Sequence, residues 1–344
     1  MAFMKRLLNT GGCVFFVLLV FFMSPTGCNS VPSYDDSSLE ITEKTGDIVI
    51  EPQFDEAEDF SEGFAAVRIG DSQTGKWAYI DKTGKVVISP QFELAGSFSE
   101  GLAPVLTGEL ANGKFGYIDK TGKIVINPQF DFAFEFSEGL APVQIGGKSA
   151  GRCGYIDRTG QFVINPQFDM CDRFSEGLAA VITDDFQTDK FGYINKTGFF
   201  VIDPQFDFTW FFSEELAAVQ IGDSRNDKWA YIDKTGKTVI SPQFDEAEEF
   251  SEGLAAIRIG DDETGKWTYI DKTGKTAIDR QFDESKKFSE GLAAVRIGDA
   301  RSGKWTYIDK TGKTAIDRQF DMAGSFSGGL ARVNILGKWG YIRR

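Results

Sequence analysis

One period governs this chain. The Phe of a Pro-Gln-Phe block recurs at Phe54, Phe92, Phe130, Phe168, Phe206, Phe244, Phe282 and Phe320, each 38 residues after the last, with Arg280 and Arg318 replacing Pro in two copies. A second Phe, followed by Ser, keeps the same interval from Phe60 to Phe326. Eight of the nine tyrosines hold one further position, Tyr79 to Tyr341, and only their last interval shortens, to 34. A unit of this length cannot bury its apolar faces alone, so the copies specify one array whose core lies between neighbours.

Each unit reads as four short strands. In the first they are an alanine strand at 63–69 (GFAAVRI), a tyrosine strand at 76–81 (KWAYID), an isoleucine strand at 85–89 (KVVIS) and a bridging strand at 91–98 (QFELAGSF). Asp81-Lys82-Thr83-Gly84 supplies hairpin chemistry, with Gly at the left-handed position, and Gly101 closes the bridging strand onto the next alanine strand. Pro90 marks the step from the third strand to the fourth without needing a ladder donor. Past the N-terminal apolar run, no segment keeps an apolar 3.6 period, so almost no helix is expected. The first three strands are apolar on both faces, which suits sheets covered on both sides. A small residue after the strand aromatic, such as Ala78 or Gly116, is expected to let a neighbouring sheet approach.

The resulting fold class is an all-β repeat protein of eight 38-residue, four-stranded units. The array begins at an isoleucine strand, 47–50, and ends at a tyrosine strand, so its two ends are complementary parts of one unit. This favours a closed, β-propeller-like toroid, with an open superhelical array as the alternative.

Ahead of the repeats, Lys5 and Arg6 precede an uninterrupted apolar run, 13–23. That run is too short to span a bilayer and has the length of a secretory apolar core. It is followed by Gly27-Cys28 and a polar stretch. This resembles a bacterial lipoprotein processing site, which implies that Cys28 becomes the lipid-carrying N-terminus. The expected organisation is a signal peptide at 1–27, a polar tether at 28–38 and the repeat domain at 39–344.

The repeats themselves resemble the WG-repeat (KWG-repeat) family. Lys338-Trp339-Gly340-Tyr341-Ile342, Lys114-Phe115-Gly116-Tyr117-Ile118-Asp119-Lys120-Thr121-Gly122 and the Phe-Ser-Glu-Gly-Leu-Ala blocks carry the resemblance. It implies an exported or envelope-associated β-repeat protein and assigns no activity.

Composition removes several chemistries. No His is present, which excludes His bases, His-paired nucleophiles and His-liganded metals. The net charge of −14 argues against nucleic acid as partner. Asp81, Asp119, Asp157, Asp233, Asp271 and Asp309, with Asn195 in the same place, fit turn capping better than catalysis. Loops such as 260–265 lack a calcium-loop spacing, and no metal or cofactor is expected. Cys153 and Cys171 occupy positions held elsewhere by buried apolar groups, so two buried thiols are favoured over a disulfide. Trp77, Trp229, Trp267, Trp305 and Trp339 share one strand position and read as core.

One departure from the repeat suggests a binding surface. Where the first and sixth units read Glu56-Ala57-Glu58-Asp59 and Glu246-Ala247-Glu248-Glu249, the third carries Phe132 and Phe134, the fourth Met170, and the fifth Phe208, Trp210 and Phe211. Charge at the matching sites implies that they face water, so these six form a candidate interaction patch. The functional expectation is a non-catalytic envelope binding or scaffold module with a protein or envelope partner, membrane-bound through its lipid alone. A hydrolase using carboxylates on a propeller face and a structural spacer are the alternatives.

Overall fold

The structure, a computed structural model, describes residues 44–344 apart from 72–73, 148–150, 184–189, 223–226, 262–263 and 300. The signal peptide, the tether and Cys28 lie outside the described residues. Thr45–Arg344 forms one compact unit, and no helix occurs among its described residues.

The chain is an all-β repeat protein with eight repeats of four antiparallel strands. In the first repeat the order within the sheet is Glu56–Ala57, Phe64–Ile69, Lys76–Asp81 and Val86–Phe92. The tyrosine strand is central: Trp77, Ala78, Tyr79 and Ile80 are all buried, as a strand covered on both faces requires. In the isoleucine strand only Ile88 and Phe92 are buried, while Val86 and Val87 are exposed at its outer edge.

Two strand boundaries differ from the sequence expectation. The isoleucine strand runs through Pro90 to Phe92, because its register slips between Tyr79↔Ile88 and Trp77↔Phe92. The extra residues form a bulge, and Pro90 sits in it, where no ladder N–H is needed. The bridging strand shrinks to Leu94–Ala95, pairing with Leu106 and Val105 of the next alanine strand. The turn after it also differs. Both Glu100 (φ 53°) and Gly101 (φ 81°) are left-handed, so the two-residue turn uses two such positions, not one.

The same bulge explains the small residue of the tyrosine strand. A Cβ on Gly116 would lie 2.5 Å from the Ile126 carbonyl oxygen and 2.8 Å from Pro128 N. The close approach therefore comes from the isoleucine strand of the same sheet, not from a neighbouring sheet. Thr268 and Thr306 occupy this position in the two repeats that carry Arg280 and Arg318. Each donates its hydroxyl to the carbonyl beside it, Thr268 to Ile278 and Thr306 to Ile316, which satisfies a buried polar group.

Repeats three and four share a seven-stranded sheet, because one strand, Phe162–Cys171, serves both. Cys153 and Cys171 form a disulfide there, with Cα atoms 6.1 Å apart. This corrects the expectation of two thiols. Cys153 lies in the tyrosine strand of repeat three, and Cys171 pairs with Val181 of repeat four, so the bond joins neighbouring repeats.

The eighth sheet takes its fourth strand from the start of the domain. Ile48–Phe54 pairs antiparallel with Lys338–Arg343 through Ile48↔Ile342, Ile50↔Tyr341 and Phe54↔Trp339.

Candidate functional site

The inner segment between the bridging strand and the Ser-Glu-Gly turn is held by buried phenols. Tyr79 donates to the Gly96 carbonyl at 2.8 Å, and the corresponding tyrosines donate to the carbonyls of Phe134, Asp172, Trp210, Glu248, Lys286 and Gly324. Tyr341 completes the series by donating to Glu58 in the first repeat at 2.7 Å. Burial pushes the Tyr117, Tyr155, Tyr231 and Tyr307 phenols well above their ordinary value, so they remain donors. Every bond crosses from one repeat to the next and fixes the backbone of the residue it grips.

At the gripped position and the one after it, the repeats diverge. Eight repeats present seven different pairs: Glu58-Asp59, Gly96-Ser97 (again as Gly324-Ser325), Phe134-Glu135, Asp172-Arg173, Trp210-Phe211, Glu248-Glu249 and Lys286-Lys287. These side chains converge. The Arg173 guanidinium lies 4.2 Å from the Phe211 ring centroid, and the Lys287 ammonium, two repeats beyond Phe211, lies 6.0 Å from the same ring. Lys287 also pairs with Glu249 at 2.8 Å, and Glu135 accepts from the Ser97 N–H at 3.1 Å.

The electrostatics are unusual for a surface. Burial and the neighbouring Glu249 carboxylate push Glu248 up to about 8. Burial opposes ionisation of Glu249 too, but Lys287 beside it wins and lowers its value. Burial raises Asp172 and Glu58, the latter against the pull of Arg332. Burial, then Arg332, lowers Lys286. These positions are half-buried, so the charged sites face water in part, with 31% of the Glu58 side chain and 37% of the Asp59 side chain exposed.

The six aromatic and Met positions are all half-buried too. Phe208 sits 5.6 Å from Phe191 and 5.7 Å from Trp229. Trp210 stacks on Trp229 at 6.4 Å and donates its indole N–H to the Ala247 carbonyl at 2.9 Å. Phe211 lies under Arg173, and Met170 packs with Phe208 against one core cluster. Phe134 occupies the inner segment, whereas Phe132 stacks on Phe115 at 6.3 Å. The structure thus joins Met170, Phe208 and Trp210, sets Phe211 against Arg173 and Lys287, and leaves Phe132 apart.

Arg332 is a residue that sequence reading missed. It stands where the other repeats carry Ala or Pro, and that break in the Leu-Ala-Ala pattern was the available signal. Its Nε lies 2.9 Å from Asp59 and its Nη1 3.3 Å from Glu58, and it also donates to the Ala57 carbonyl. Gly324 makes room, since a Cβ there would come within 2.7 Å of both Arg332 Cγ and Asp59 Oδ1. The Asp turns do what their position implies: Asp81 Oδ1 accepts from the N–H groups of Thr83 and Lys85 at 2.9 and 3.1 Å. Among the described residues no group of His, Cys, Asp and Glu is arranged to hold a metal ion.

In solved structures the fold is similar to that of propeller-like proteins. A crystal structure of a eukaryotic initiation factor superposes with a TM-score of 0.53 at 12% identity, covering 84% of this chain and 81% of that one. A prolyl endopeptidase gives 0.56 at 10% identity, covering 78% and 50%. Prolyl oligopeptidase B from Galerina marginata gives 0.54 at 11%, covering 83% and 51%. The match spans about half the length of the two peptidases, and identities this low speak to the fold alone. No curated protein sequence matches the chain. The family model of the WG containing repeat matches eight times, at residues 43–77, 77–110, 115–148, 154–185, 191–224, 229–262, 267–299 and 305–339. The chain belongs to the WG-containing-repeat family.

Proposed function

We propose that this chain is an exported, lipid-anchored, non-catalytic binding module of the cell envelope, built as a closed ring of eight repeats. One observation carries the binding role. The residues that build the scaffold recur from repeat to repeat, whereas two adjacent inner positions change chemistry through seven different pairs. A spacer has no need of such divergence, and side chains that converge from several repeats suit recognition of one partner. Substituting Phe134→Ser together with Phe211→Ala tests this. Capture of an envelope component by the immobilised double variant is expected to fall about tenfold or more, with the melting temperature little changed. Undiminished capture by a folded double variant would overturn the role.

Closure is supported by contacts between the last and first repeats: the pairing of Ile48–Phe54 with Lys338–Arg343, Tyr341 to Glu58, Lys338 to Asp55 at 2.5 Å, and Arg332 to Asp59. Lipid anchoring is supported by the short apolar run followed by Gly27-Cys28. Metabolic labelling with a palmitate analogue is expected to mark the wild type and not Cys28→Ser. Equal labelling of both would exclude the anchor.

A further inference from the structure

Seven of the eight junctions between repeats carry one contact. The Glu of the Ser-Glu turn sends its carboxylate to the backbone N–H 39 residues on, from Glu62 to Gly101 at 3.0 Å through to Glu290 and Gly329 at 3.0 Å. At five of these junctions an ammonium joins the same carboxylate at 3.0–3.1 Å: Lys120, Lys196, Lys234, Lys272 and Lys310. Lys120, Lys196 and Lys310 also donate to the backbone carbonyl of that Glu. The anion is well held. Burial alone would raise Glu62, yet Lys120 and the Gly101 amide bring it below its ordinary value, and Lys310 and Gly291 do the same for Glu252.

At the eighth junction, between the last repeat and the first, the Glu is replaced by Gly328. The rest of the arrangement is kept. Gly328 has the left-handed φ of 61°, close to the 52–54° of the turn glutamates. Lys82 donates to the Gly328 carbonyl at 2.5 Å, the backbone half of the contact that Lys120 makes to Glu62. Gly63 is the counterpart of Gly101; it is half-buried, and a Cβ on it would meet nothing within 4 Å.

We propose that this junction is a carboxylate-binding site, in which the Gly63 N–H and the Lys82 ammonium receive from outside the group that seven other junctions supply from the chain. It rests on the contact between repeats eight and one, and not on the lipid anchor or on the inner-segment reading. One charge-assisted pair of donors on a half-exposed surface gives weak binding, in the millimolar range. The site also marks one junction as different in an array of otherwise similar ones.

The probe is propionate, the end of a Glu side chain, added at constant ionic strength to the full chain labelled with ¹⁵N at glycine. Propionamide is the neutral control, and blocked Ser-Glu-Gly tripeptide is the polypeptide form of the ligand. The Gly63 amide resonance is expected to shift saturably with propionate and not with propionamide. Lys82→Met is expected to weaken binding about tenfold. In Gly328→Glu the resonance should already sit near its saturated position, because the carboxylate is then supplied by the chain. Tighter binding of the tripeptide than of propionate would assign the natural ligand to an acidic side chain of a partner, and equal binding to a free small acid. A non-saturating drift, or the same saturable shift in Gly328→Glu, overturns the proposal. If Gly328→Glu does not fold, Lys82→Met decides alone: unchanged affinity overturns it.

Discussion

Gly46 donates its N–H to the Arg343 carbonyl at 2.8 Å, in the register that Gly84 and Asp81 hold within a single turn. Arg343 in turn donates to Asp47 O at 2.9 Å, as Asp81 does to Lys85 O. One Asp-Lys-Thr-Gly turn is therefore assembled from two distant pieces of chain, with Arg343-Arg344 in place of Asp-Lys and Thr45-Gly46 in place of Thr-Gly.

A circular permutant follows directly. Joining Arg344 to Thr45 with no inserted residue, and opening the chain between Lys196 and Thr197, is expected to give a folded protein. Its melting temperature should lie within about 5 °C of the parent, since one hairpin turn is exchanged for another. In an open superhelix the new bond could not form without unfolding a terminal repeat, and circular dichroism would register a large loss.

Removing Arg332 leaves Glu58 and Asp59 without their cation. Arg332→Ala is expected to destabilise by about 2 kcal/mol, because two half-buried carboxylates lose the guanidinium that pairs with them and the Ala57 carbonyl loses its donor. Urea titration of Arg332→Ala, Asp59→Asn and the double variant should show coupling. Simple additivity of the two single effects would mean that the pair contributes nothing.

The Cys153–Cys171 bond closes a separation of 18 residues. Loop-closure entropy assigns it about 3 kcal/mol. Dithiothreitol, or Cys171→Ser, should lower the melting temperature, and the mass of the alkylated protein should report two new thiols only after reduction. Alkylation of both without reductant would show that no bridge forms.

Glu215 holds φ 74°, where other repeats place Gly. Glu215→Gly is expected to stabilise by about 1 kcal/mol, since left-handed strain is relieved. The exposed ion pair with Lys234, at 3.0 Å, is a small loss against this. A lower denaturation midpoint in the variant would contradict the strain account.

Glu248 sets a pH dependence of definite sign. Its value is raised on folding to about 8, so between the ordinary carboxylate range and pH 8 the native state binds more protons than the unfolded one. Stability from this group is full below the unfolded value and falls as pH rises through that window. Glu248→Gln should flatten the decline measured by denaturation from pH 5 to 8, and an unchanged slope would remove Glu248 as its source.

What could be read from the sequence divides along physical lines. The tyrosine strand 76–81 is legible because it is apolar on both faces and bounded by turn residues. The isoleucine strand is longer than read, since a bulge lets a strand run through Pro90, and no periodicity signals a bulge. The disulfide escaped because Cys153 and Cys171 sit in places otherwise filled by buried apolar groups; the 6.1 Å between their Cα atoms exists only once neighbouring repeats pack. The inner segment was noticed through its aromatic members, whereas Arg332 acts across 273 residues of chain and shows only as a break in a pattern.

The phenol that reaches one repeat ahead also dictates where this family of units can tolerate insertions and deletions. Tyr79 and the carbonyl it grips are 17 residues apart, a distance spanned by the isoleucine and bridging strands, so a lost residue there would misplace every later contact. The loop before the tyrosine strand lies outside that span. It is there that the chain shortens: six residues separate Ile69 from Lys76, but only Leu336 and Gly337, both left-handed, separate Ile335 from Lys338. The shorter loop still keeps its first anchor, since Leu336 donates its N–H to Asp321 at 2.7 Å as Gly298 does to Asp283, so the length changes only beyond that contact.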